Sequence, residues 1–456
     1  AIYATGTQGY TAKNSGTITL GDSASITSPN VALYTEHNTV TLENTGTIDS
    51  GNNTIGIYGY NAENSGNLKI GNAAIGIYSQ NGNVNLTGGT ITTGTDEAVG
   101  VYTVGSGQTV TNSGTAFNIG NNSFGFVNVG TGNTINSKIS NVGLGDKNVY
   151  VYSSDTSGTV TNSTNIASTG GQNYGIYSAG TVTNNGNIDF SSGSGNVAVY
   201  SIKGGTATNN GTITVGESDI SAVDSSGNLA PLYSIGMGAG YETTDTGNII
   251  NKGTINFGGG KINHKKDGDV AFYSEKKIVG GKTVVSHLNF TDATTLNISK
   301  GLVFYGDKED YSKELIPASG ETGRYTGMKN VTVNLTGNGV NLGVFKGITT
   351  VWNGNDAYLN DPTNGLKNIP KVAKINAKDS ITLKDYWYKS TLEGGTITVK
   401  TDVNRDNISK NNNVGDGFND ISMQREKVII DNKSQITSTK GNSMLLASNE
   451  QATNNS

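Results

Sequence analysis

The sequence contains no cysteine, only five prolines and no long run of apolar residues. Without cysteine, neither a disulfide bond nor a thiolate metal site can form. This absence suits a protein that is exported unfolded through a pore, where a premature disulfide would block passage. The few prolines leave no proline-rich linker to divide the 456 residues. The missing apolar run predicts that no transmembrane helix is present.

Apolar residues make up only 33% of the chain and charged residues 15%, while glycine occurs 65 times. Residues 1–250 hold 5 lysines and 15 acidic residues, which gives −10, and residues 251–456 hold 26 basic and 21 acidic residues, which gives +5; together they give the formal net charge of −5. Acidic residues are interleaved with the lysines, as in Lys308-Glu309-Asp310. We therefore expect a solvated surface of mixed charge and no nucleic-acid partner.

Two short phrases recur along the chain, one of the form Asn-x-Gly-x-Ile and the other apolar-small-apolar-Tyr. The first occurs, with conservative changes, at residues 14–18, 44–48, 64–68, 184–188 and 251–255. The second ends at Tyr34, Tyr58, Tyr78, Tyr102, Tyr177, Tyr200 and Tyr273. The first four of these tyrosines are 24, 20 and 24 residues apart. Self-similarity at this period indicates one supersecondary unit stacked on itself, and its regular apolar pairs argue against disorder.

The phrases predict short strands separated by corners. The alternation of side chains along a strand would place Ile55 and Ile57 inside and Gly56 and Tyr58 outside. Each repeat therefore supplies at least two strands, and an Asn-Ser-Gly turn precedes one of them, because asparagine and glycine tolerate the left-handed backbone. Leucine-rich repeats have a similar period but need a leucine-rich consensus, which is absent. The sequence predicts an all-β fold, a parallel β-helix or solenoid.

The repeats lengthen in the second half of the chain. Tyr200, Tyr233, Tyr273 and Tyr305 are 33, 40 and 32 residues apart. The surplus predicts loops that leave the solenoid at 217–229, 238–248, 258–268, 306–328 and 353–370. Further strands are expected at Val331–Leu335, Val340–Val344, Ile381–Leu383, Ile397–Val399 and Val428–Ile430. We expect regular repeats of about 20–30 residues over 1–300 and less regular repeats with long loops over 301–456.

Three apparent motifs do not meet the requirements of their chemistry. Gly281-Lys282-Thr283 resembles the end of a phosphate-binding loop, but Lys276 stands where the first glycine is required. Residues 415–421 resemble one calcium-binding nonapeptide turn, which needs stacked copies. Gly21-Asp22-Ser23 resembles the nucleophile segment of serine-protease autotransporters, but Ala24 stands where glycine is needed.

The titratable side chains form no recognisable catalytic or metal-binding pattern. His37, His264 and His287 are far apart and have no ligand spacing. The carboxylate pairs Asp96-Glu97 and Glu309-Asp310 could line a polysaccharide cleft, but nothing selects a pair at glycosidase separation. We therefore expect no catalytic residues, no metal site and no cofactor. A carbohydrate-active β-helix enzyme is the less favoured alternative, because a fold alone never specifies a reaction.

The tyrosines of the second phrase are expected to form an outward ladder along one edge of the solenoid. Its members are Tyr34, Tyr58, Tyr78, Tyr102, Tyr152, Tyr177 and Tyr200. One interpretation is structural, since rings stacked one repeat apart hold the repeats in register. The other is a binding stripe for a protein or glycan, because tyrosine is enriched at interaction surfaces.

The phrases Asn-x-Gly-x-Ile and Ile-Gly-Ile-Tyr-Ser resemble the passenger repeats of bacterial autotransporter adhesins, especially the large fusobacterial ones, over roughly residues 1–300. The resemblance implies a right-handed β-helix displayed at the bacterial surface, followed after residue 456 by an outer-membrane barrel. The chain begins within a repeat, which also predicts a segment of a longer protein. The resemblance further implies attachment to host cells or other bacteria. It supplies no shared binding motif that could be placed on particular residues.

These observations predict a surface adhesin that binds a host cell-surface receptor or glycan. By resemblance, the receptor could be an immunoglobulin-like one such as a carcinoembryonic-antigen adhesion molecule (CEACAM). Loops on a rigid scaffold often carry binding, and 306–328 has an apolar tip at Leu315-Ile316-Pro317. The expected anchors are Tyr311, Leu315, Ile316, Arg324 and Tyr325. Alternatively, this loop folds back onto the solenoid. Self-association for aggregation or biofilm formation is the alternative function.

Overall fold

A computed structural model describes residues 1–257 apart from 220, 229, 231 and 241–245, and beyond residue 257 it describes Asp292 and the strands named below. The chain divides into two compact units, Ala1–Thr212 and Ile213–Ser456. All regular secondary structure in the described residues is β-strand. Among them, no helix has the length and apolar character needed to span a bilayer.

In the first unit, each repeat contributes one strand to each of three parallel sheets. Sheet 1 contains Ile2–Ala4, Val31–Thr35, Ile55–Gly59, Ile75–Ser79, Val99–Thr103, Phe124–Asn128, Val149–Ser153, Tyr174–Ser178 and Val197–Ser201. Sheet 2 contains Tyr10–Asn14, Val40–Asn44, Asn61–Asn64, Val84–Leu86, Thr109–Asn112, Thr134–Ser137, Thr159–Asn162, Thr181–Asn184 and Thr206–Asn209. Sheet 3 contains Thr17–Leu20, Thr47–Ser50, Asn67–Ile70, Thr90–Thr92, Ala116–Ile119, Asn141–Leu144, Asn165–Ser168 and Ile188–Phe190.

This arrangement confirms the right-handed parallel β-helix. Crossover connections between parallel strands are almost always right-handed. Every turn of the helix, or rung, holds three strands, and each strand pairs in register with its equivalents in the neighbouring rungs. The strands of sheet 2 were not identified from the sequence. Their recurring signal is Thr-Val-Thr-Asn, found at 109–112, 159–162 and 181–184.

The core is a set of apolar columns that run from rung to rung inside the three sheets. Leu33 and Ile57 from sheet 1, Leu42 from sheet 2, and Ile48 and Leu68 from sheet 3 are fully buried. Burying one such side chain stabilises the fold by about 1.5–3 kcal/mol. The repeated apolar phrases therefore produce a continuous core without requiring a large globular interior.

The asparagine of the first phrase forms a buried amide ladder. The Asn14 side-chain amide donates to the Asn44 Oδ1 atom over 2.8 Å, and Asn44 donates in the same way to Asn64. Asn162 to Asn184 and Asn184 to Asn209 repeat this 2.8 Å bond. Such pairing satisfies amides that would otherwise be buried without partners, which explains why this position is asparagine in a low-apolar sequence.

The glycine of the first phrase is required by close approach between rungs. A Cβ atom on Gly46 would lie 2.0 Å from the Gly16 carbonyl oxygen, and one on Gly66 would lie 2.1 Å from the Gly46 oxygen. Neither glycine has a positive φ, so the expected left-handed turn is wrong here. Left-handed residues occur instead at the corner before sheet 1, where Asn53 has φ 54° and Lys147 has φ 58°.

The second unit contains further parallel strands. Its described strands are Thr212–Val215 (which starts at the boundary), Ile235–Ala239, Thr246–Asn251, Thr254–Phe257, Val270–Ser274, Lys276–Val279, Lys282–Val285, His287–Asn289, Thr294–Ile298, Leu302–Tyr305, Tyr325–Thr326, Val331–Leu335, Lys374–Lys378, Thr396–Lys400, Ile421–Met423, Lys427–Ile430, Met444–Leu446 and Gln451–Asn454. Ile235–Ala239 pairs with Val270–Ser274, which pairs with Leu302–Tyr305. A six-stranded sheet runs from Thr294–Ile298 to Gln451–Asn454.

Three of the expected strands in this unit coincide with observed ones. Val331–Leu335 is a strand, Ile397–Val399 lies within Thr396–Lys400, and Val428–Ile430 lies within Lys427–Ile430. Val340–Val344 and Ile381–Leu383 lie outside the described residues. The division of the chain at residue 300 stays a prediction, and the structure places a unit boundary after Thr212.

The expected loops are described only in part. Within the first of these ranges, 217–229, Asp219 forms an antiparallel bridge with Leu232, which lies just beyond it. The range 238–248 overlaps the ends of strands Ile235–Ala239 and Thr246–Asn251. Residues 258–268 and 353–370 lie outside the described residues.

Candidate binding face on sheet 1

The predicted tyrosine ladder is present on sheet 1, in two segments. Ring centroids of Tyr34, Tyr58, Tyr78 and Tyr102 lie 5.3, 4.8 and 5.3 Å apart in succession, with stacked planes. Tyr152, Tyr177 and Tyr200 form the second segment at 5.5 and 5.3 Å. Val127 occupies the intervening position and breaks the stack. Tyr3, which the sequence prediction omitted, extends the first segment at 5.2 Å.

The inward and outward positions of the tyrosine phrase differ from the strict alternation expected. Gly56 is buried together with Ile57. At the position equivalent to Gly56, a Cβ on Gly100 would meet the buried Phe117 ring at 2.5 Å. The small residue therefore faces the core, and the prediction that it points outward with Tyr58 is wrong.

The first residue of five sheet 1 strands is half-buried beside the tyrosines, whereas Ile55, Val99 and Val197 at the same position are only 4%, 8% and 4% exposed. Tyr174, at this position, contacts the rings of Tyr177 and Tyr200 edge-on at 5.5 and 5.8 Å. We call the tyrosine column the tyrosine row and the column of first residues the apolar row. The apolar row consists of Val31, Ile55, Ile75, Val99, Phe124, Val149, Tyr174 and Val197.

Exposure of the two rows changes along the β-helix. The Tyr3 side chain is 60% exposed, and Tyr34, Tyr58, Tyr78 and the other tyrosines up to Tyr177 are half-buried. Tyr200 is only 6% exposed. The accessible part of the face therefore extends from Tyr3 to Tyr177.

Three tyrosine hydroxyls on this face have raised pKa values. The Tyr34 hydroxyl donates to Glu36 over 2.6 Å, and this bond to a carboxylate, with burial second, raises the pKa of Tyr34 to about 12. Burial and the neighbouring tyrosines Tyr58 and Tyr102 raise the pKa of Tyr78. Burial likewise raises the pKa of Tyr102. A tyrosine hydroxyl can both donate and accept hydrogen bonds.

The geometry limits how these rings can bind. Each stacked ring covers the flat faces of its neighbours, so the ring edges and hydroxyls meet the solvent, with aliphatic side chains beside them. Such a surface suits contact with another amphipathic protein surface or with hydroxyl-rich glycans. The stacking also holds adjacent rungs in register, so the structural interpretation of the ladder and the binding interpretation are compatible.

The predicted anchors in the 306–328 segment lie mostly outside the described residues. These are Tyr311, Leu315, Ile316 and Arg324. Tyr325 belongs to the strand Tyr325–Thr326, which pairs with Leu288 and Asn289, rather than to a loop. Binding by these residues stays a prediction.

Several sequence segments examined for chemistry have structural roles. Ser23 accepts a bond from the Asn30 backbone N–H, and the Asp22 carboxylate accepts one from the Asn52 backbone N–H. Lys282–Val285 is a strand antiparallel to Lys276–Val279, so no phosphate-binding helix follows residue 283.

The other candidates for chemistry give no cluster in the described part of the chain. Asp96 and Glu97 form a left-handed corner with φ 57° and 64°. His37 is half-buried and His287 lies in a strand, whereas His264, Glu309-Asp310 and most of 415–421 are outside the described residues. No group of three or more potential metal ligands is found among the residues that the structure describes.

Comparison with known proteins gives one match. Residues 190–263 match the family model described as the BigA third pectate lyase-like domain. No curated protein and no solved structure matches the chain. The match covers much less than half of the sequence, and it agrees with the parallel β-helix observed directly. Together with the repeat, it indicates a β-helical protein of the bacterial surface.

Proposed function

We propose that this chain is a surface adhesin, a rigid β-helical scaffold that makes contact with another surface. The observation that carries this proposal is the outer face of sheet 1, where the tyrosine row presents stacked, half-buried and uncharged rings over many rungs. Tyrosine is enriched among the residues that dominate protein interaction surfaces. The buried amide ladder in sheet 2 joins successive rungs, so the scaffold that carries this face is preorganised for contact.

We assign the host partner to a cell-surface protein, such as an immunoglobulin-like receptor of the CEACAM type, or to a glycan. The 306–328 segment, with the anchors named above, is the proposed receptor site. This assignment rests on the sequence, where Leu315-Ile316-Pro317 is an apolar tip in a polar segment. An apolar anchor surrounded by polar residues is typical of a binding hot spot.

The test is binding of the purified chain to arrays of human cell-surface ectodomains and glycans by biolayer interferometry, with denatured chain as control. We expect a saturable signal from at least one receptor or glycan. Deletion of 308–326 should abolish that signal while the β-rich circular dichroism spectrum is retained. Deletion of 221–227, an excursion within the described residues, serves as the matched control and should leave binding intact. A folded chain that binds nothing on either array would overturn the proposal.

We further propose that the chain binds without chemical turnover, although the matched family model carries a pectate lyase-like description. The Asp22 and Ser23 side chains are engaged in corner hydrogen bonds. Incubation with pectin, host glycans and biofilm polysaccharides should release no reducing ends above a heat-denatured control. Release that scales with chain concentration would favour the carbohydrate-active enzyme instead.

A further inference from the structure

We propose that the tyrosine row is a site of one-electron oxidation. An oxidant in solution removes an electron from the row, and the resulting radical resides on Tyr34, whose phenolic proton passes to Glu36. The site consists of the first segment of the row, from Tyr3 to Tyr102. This activity goes beyond the proposed contact function and does not depend on a receptor or glycan.

Tyrosine is the readily oxidised residue type of the first unit. Cysteine is absent from the sequence, and both tryptophans, Trp352 and Trp387, lie after residue 212. All four methionines also lie after residue 212, and Met237 is the first of them. Residues 1–212 contain 12 tyrosines and a single histidine, His37. An oxidant that reaches this unit therefore finds no thiol, thioether or indole, and phenol is the side chain that it oxidises most easily.

The stacked rings form a continuous path for electron exchange. Successive ring centroids from Tyr3 to Tyr102 are 5.2, 5.3, 4.8 and 5.3 Å apart. The ring planes of Tyr58 and Tyr78 differ by only 7°, and those of Tyr78 and Tyr102 by 13°. Electron exchange becomes faster as two π-systems approach one another, so each ring exchanges electrons most readily with its neighbours in the row. Tyr3, which is 60% exposed, meets a dissolved oxidant directly.

Val127 ends this path. It occupies the row position between Tyr102 and Tyr152, and its aliphatic side chain has no π-system through which an electron is exchanged. These two rings are therefore two rungs apart, about 9.6 Å at about 4.8 Å per rung. Tyr152, Tyr177 and Tyr200 thus form a separate group, and the path comprises the rings up to Tyr102.

A proton acceptor selects Tyr34 within the first segment. The Tyr34 hydroxyl donates to the Glu36 carboxylate over 2.6 Å, which is within the reach needed for direct proton transfer. Among the described bonds of this segment, Tyr34 alone has a carboxylate as the acceptor of its hydroxyl. The Tyr58 hydroxyl instead accepts a bond from the Gln80 amide, which offers it no base.

The electrons and protons of this oxidation balance. Loss of an electron makes a phenol strongly acidic, so the proton of Tyr34 crosses the bond to Glu36 as the electron leaves. The products are a neutral tyrosyl radical, a protonated Glu36 carboxyl group and an oxidant reduced by one electron. When Tyr3 or Tyr102 is oxidised first, it takes an electron from the neighbour nearer to Tyr34 and returns to its original state.

The first test maps the radical in the intact native chain, without any substitution. A ruthenium(III) tris-bipyridine complex, generated by light with a cobalt(III) electron acceptor, oxidises the chain in the presence of a nitroso spin trap. Peptide mass spectrometry then measures the adduct at each tyrosine. We expect more adduct at Tyr34 than at Tyr10, although Tyr10 is 41% exposed and its hydroxyl donates to the Thr5 carbonyl oxygen. Adducts that follow exposure alone, with Tyr3 and Tyr10 above Tyr34, would overturn the proposal.

Glu36→Gln tests the proton acceptor, because glutamine keeps a hydrogen-bond acceptor of similar size but is not a base. The Tyr34 adduct should fall at least about tenfold, since a positioned proton acceptor typically accelerates such a step by about a hundredfold or more. Glu63→Gln removes the same charge at an exposed position on sheet 2 and should leave the Tyr34 adduct unchanged. Equal adducts in the native and Glu36→Gln chains would contradict proton transfer to Glu36.

The second test separates transfer along the row from direct oxidation of Tyr34. Ser106→Cys introduces a single thiol at an exposed corner after Tyr102, and a ruthenium photo-oxidant is attached there through a thioether. Excitation should again give the adduct at Tyr34. Tyr78→Phe keeps a ring in the stack but cannot be oxidised in its place, so it should remove most of that adduct. Tyr60→Phe, at a tyrosine outside the row, is the matched control and should leave the adduct unchanged.

The variants decide between a path through the row and other routes. Circular dichroism and thermal unfolding verify that each variant retains the β-helix. A Tyr34 adduct that is unchanged by Tyr78→Phe, or lowered equally by Tyr60→Phe, would overturn transfer along the row. Loss of the adduct in the Tyr78→Phe and Glu36→Gln chains, with both controls unchanged, would support the path and its proton acceptor. None of these measurements includes a receptor or glycan, so their outcome is independent of the proposed function.

Discussion

The Ser137 and Tyr150 hydroxyl oxygens lie 2.6 Å apart inside the β-helix. Each residue differs in type from the residues at the equivalent position in the adjacent rungs. Ser137 aligns with Asn112 and Asn162 in sheet 2, where it interrupts the amide ladder. Tyr150 is fully buried at the position where the adjacent strands of sheet 1 have glycine. Ser137 is also 2.7 Å from the Thr164 hydroxyl. The smaller serine leaves the room that the large tyrosine occupies.

This complementarity predicts strong coupling between the two positions. Ser137→Asn should destabilise the fold by about 1–3 kcal/mol because the larger side chain meets the tyrosine. Tyr150→Gly should cost about 3–5 kcal/mol through the cavity it leaves. The double variant has the residue types that the neighbouring rungs have at these two positions. Its loss in the free energy of unfolding should therefore be smaller than the sum of the two single losses by more than about 0.5 kcal/mol, the limit within which independent sites are additive. Urea unfolding of all four chains measures this, and additive losses would refute the coupling.

Burial of Tyr150 also predicts an alkaline dependence of stability. Burial raises the pKa of Tyr150 from the ordinary tyrosine value of 10.0 to about 12, against the opposing hydrogen bonds to Ser137 and Thr164. The unfolded chain therefore releases this proton first as the pH rises. The contribution to the free energy of unfolding is fully present below pH 10 and is lost as pH approaches 12.

Tyr150→Phe should remove this part of the pH dependence. At neutral pH the variant should lose about 0.5–1.5 kcal/mol from the missing hydrogen bonds. Between pH 10 and 12 its free energy of unfolding should fall less steeply than that of the native chain, as measured by urea titrations at a series of pH values. Tyr10→Phe, at a side chain that is 41% exposed, is the control. Identical slopes for the native chain and Tyr150→Phe would count against the buried, neutral phenol.

The amide ladder predicts a position-dependent cost for losing one asparagine. Asn184→Leu removes the acceptor of the Asn162 bond and the donor to Asn209 while leaving both neighbours buried. We expect a loss of about 2–4 kcal/mol in the free energy of unfolding, because two buried polar groups lose partners. Asn210→Leu changes an exposed asparagine on the next rung and should cost less than about 1 kcal/mol. Similar costs for both variants would show that the ladder contributes little.

Close approach between rungs predicts opposite outcomes for two glycines. An added Cβ at Gly66 would lie 2.1 Å from the Gly46 carbonyl oxygen, whereas Gly143 has open space around this position. Gly66→Ala should therefore destabilise the protein by about 1–3 kcal/mol. Gly143→Ala should be neutral or stabilise it by up to about 1 kcal/mol through the unfolded chain. Thermal unfolding of both variants measures the difference, and a tolerated Gly66→Ala would disprove the steric role.

The candidate face was only partly predictable. The spacing of Tyr58, Tyr78 and Tyr102 was sufficient to place them in one row, because parallel strands of a repeat stack in register. The apolar row was missed, since Ile75 has the same residue type as the core and alternation alone assigns it to the interior. The break at Val127 is visible in the sequence, but the 60% exposure of Tyr3 and the 6% exposure of Tyr200 depend on what surrounds each ring.

The sequence by itself determined the parallel β-helix, because a repeated phrase can bury its apolar side only against the next copy of itself. It also determined the tyrosine row, since each copy of the tyrosine phrase occupies the same position in its rung. Only the tertiary structure decided that the small second residue of each sheet 1 phrase also faces the interior. The interior is narrow, and side chains from sheet 3 such as Phe117 reach sheet 1, so the inward position opposite them must be small. The same packing decided that Tyr150 could enter the core where Ser137 made room.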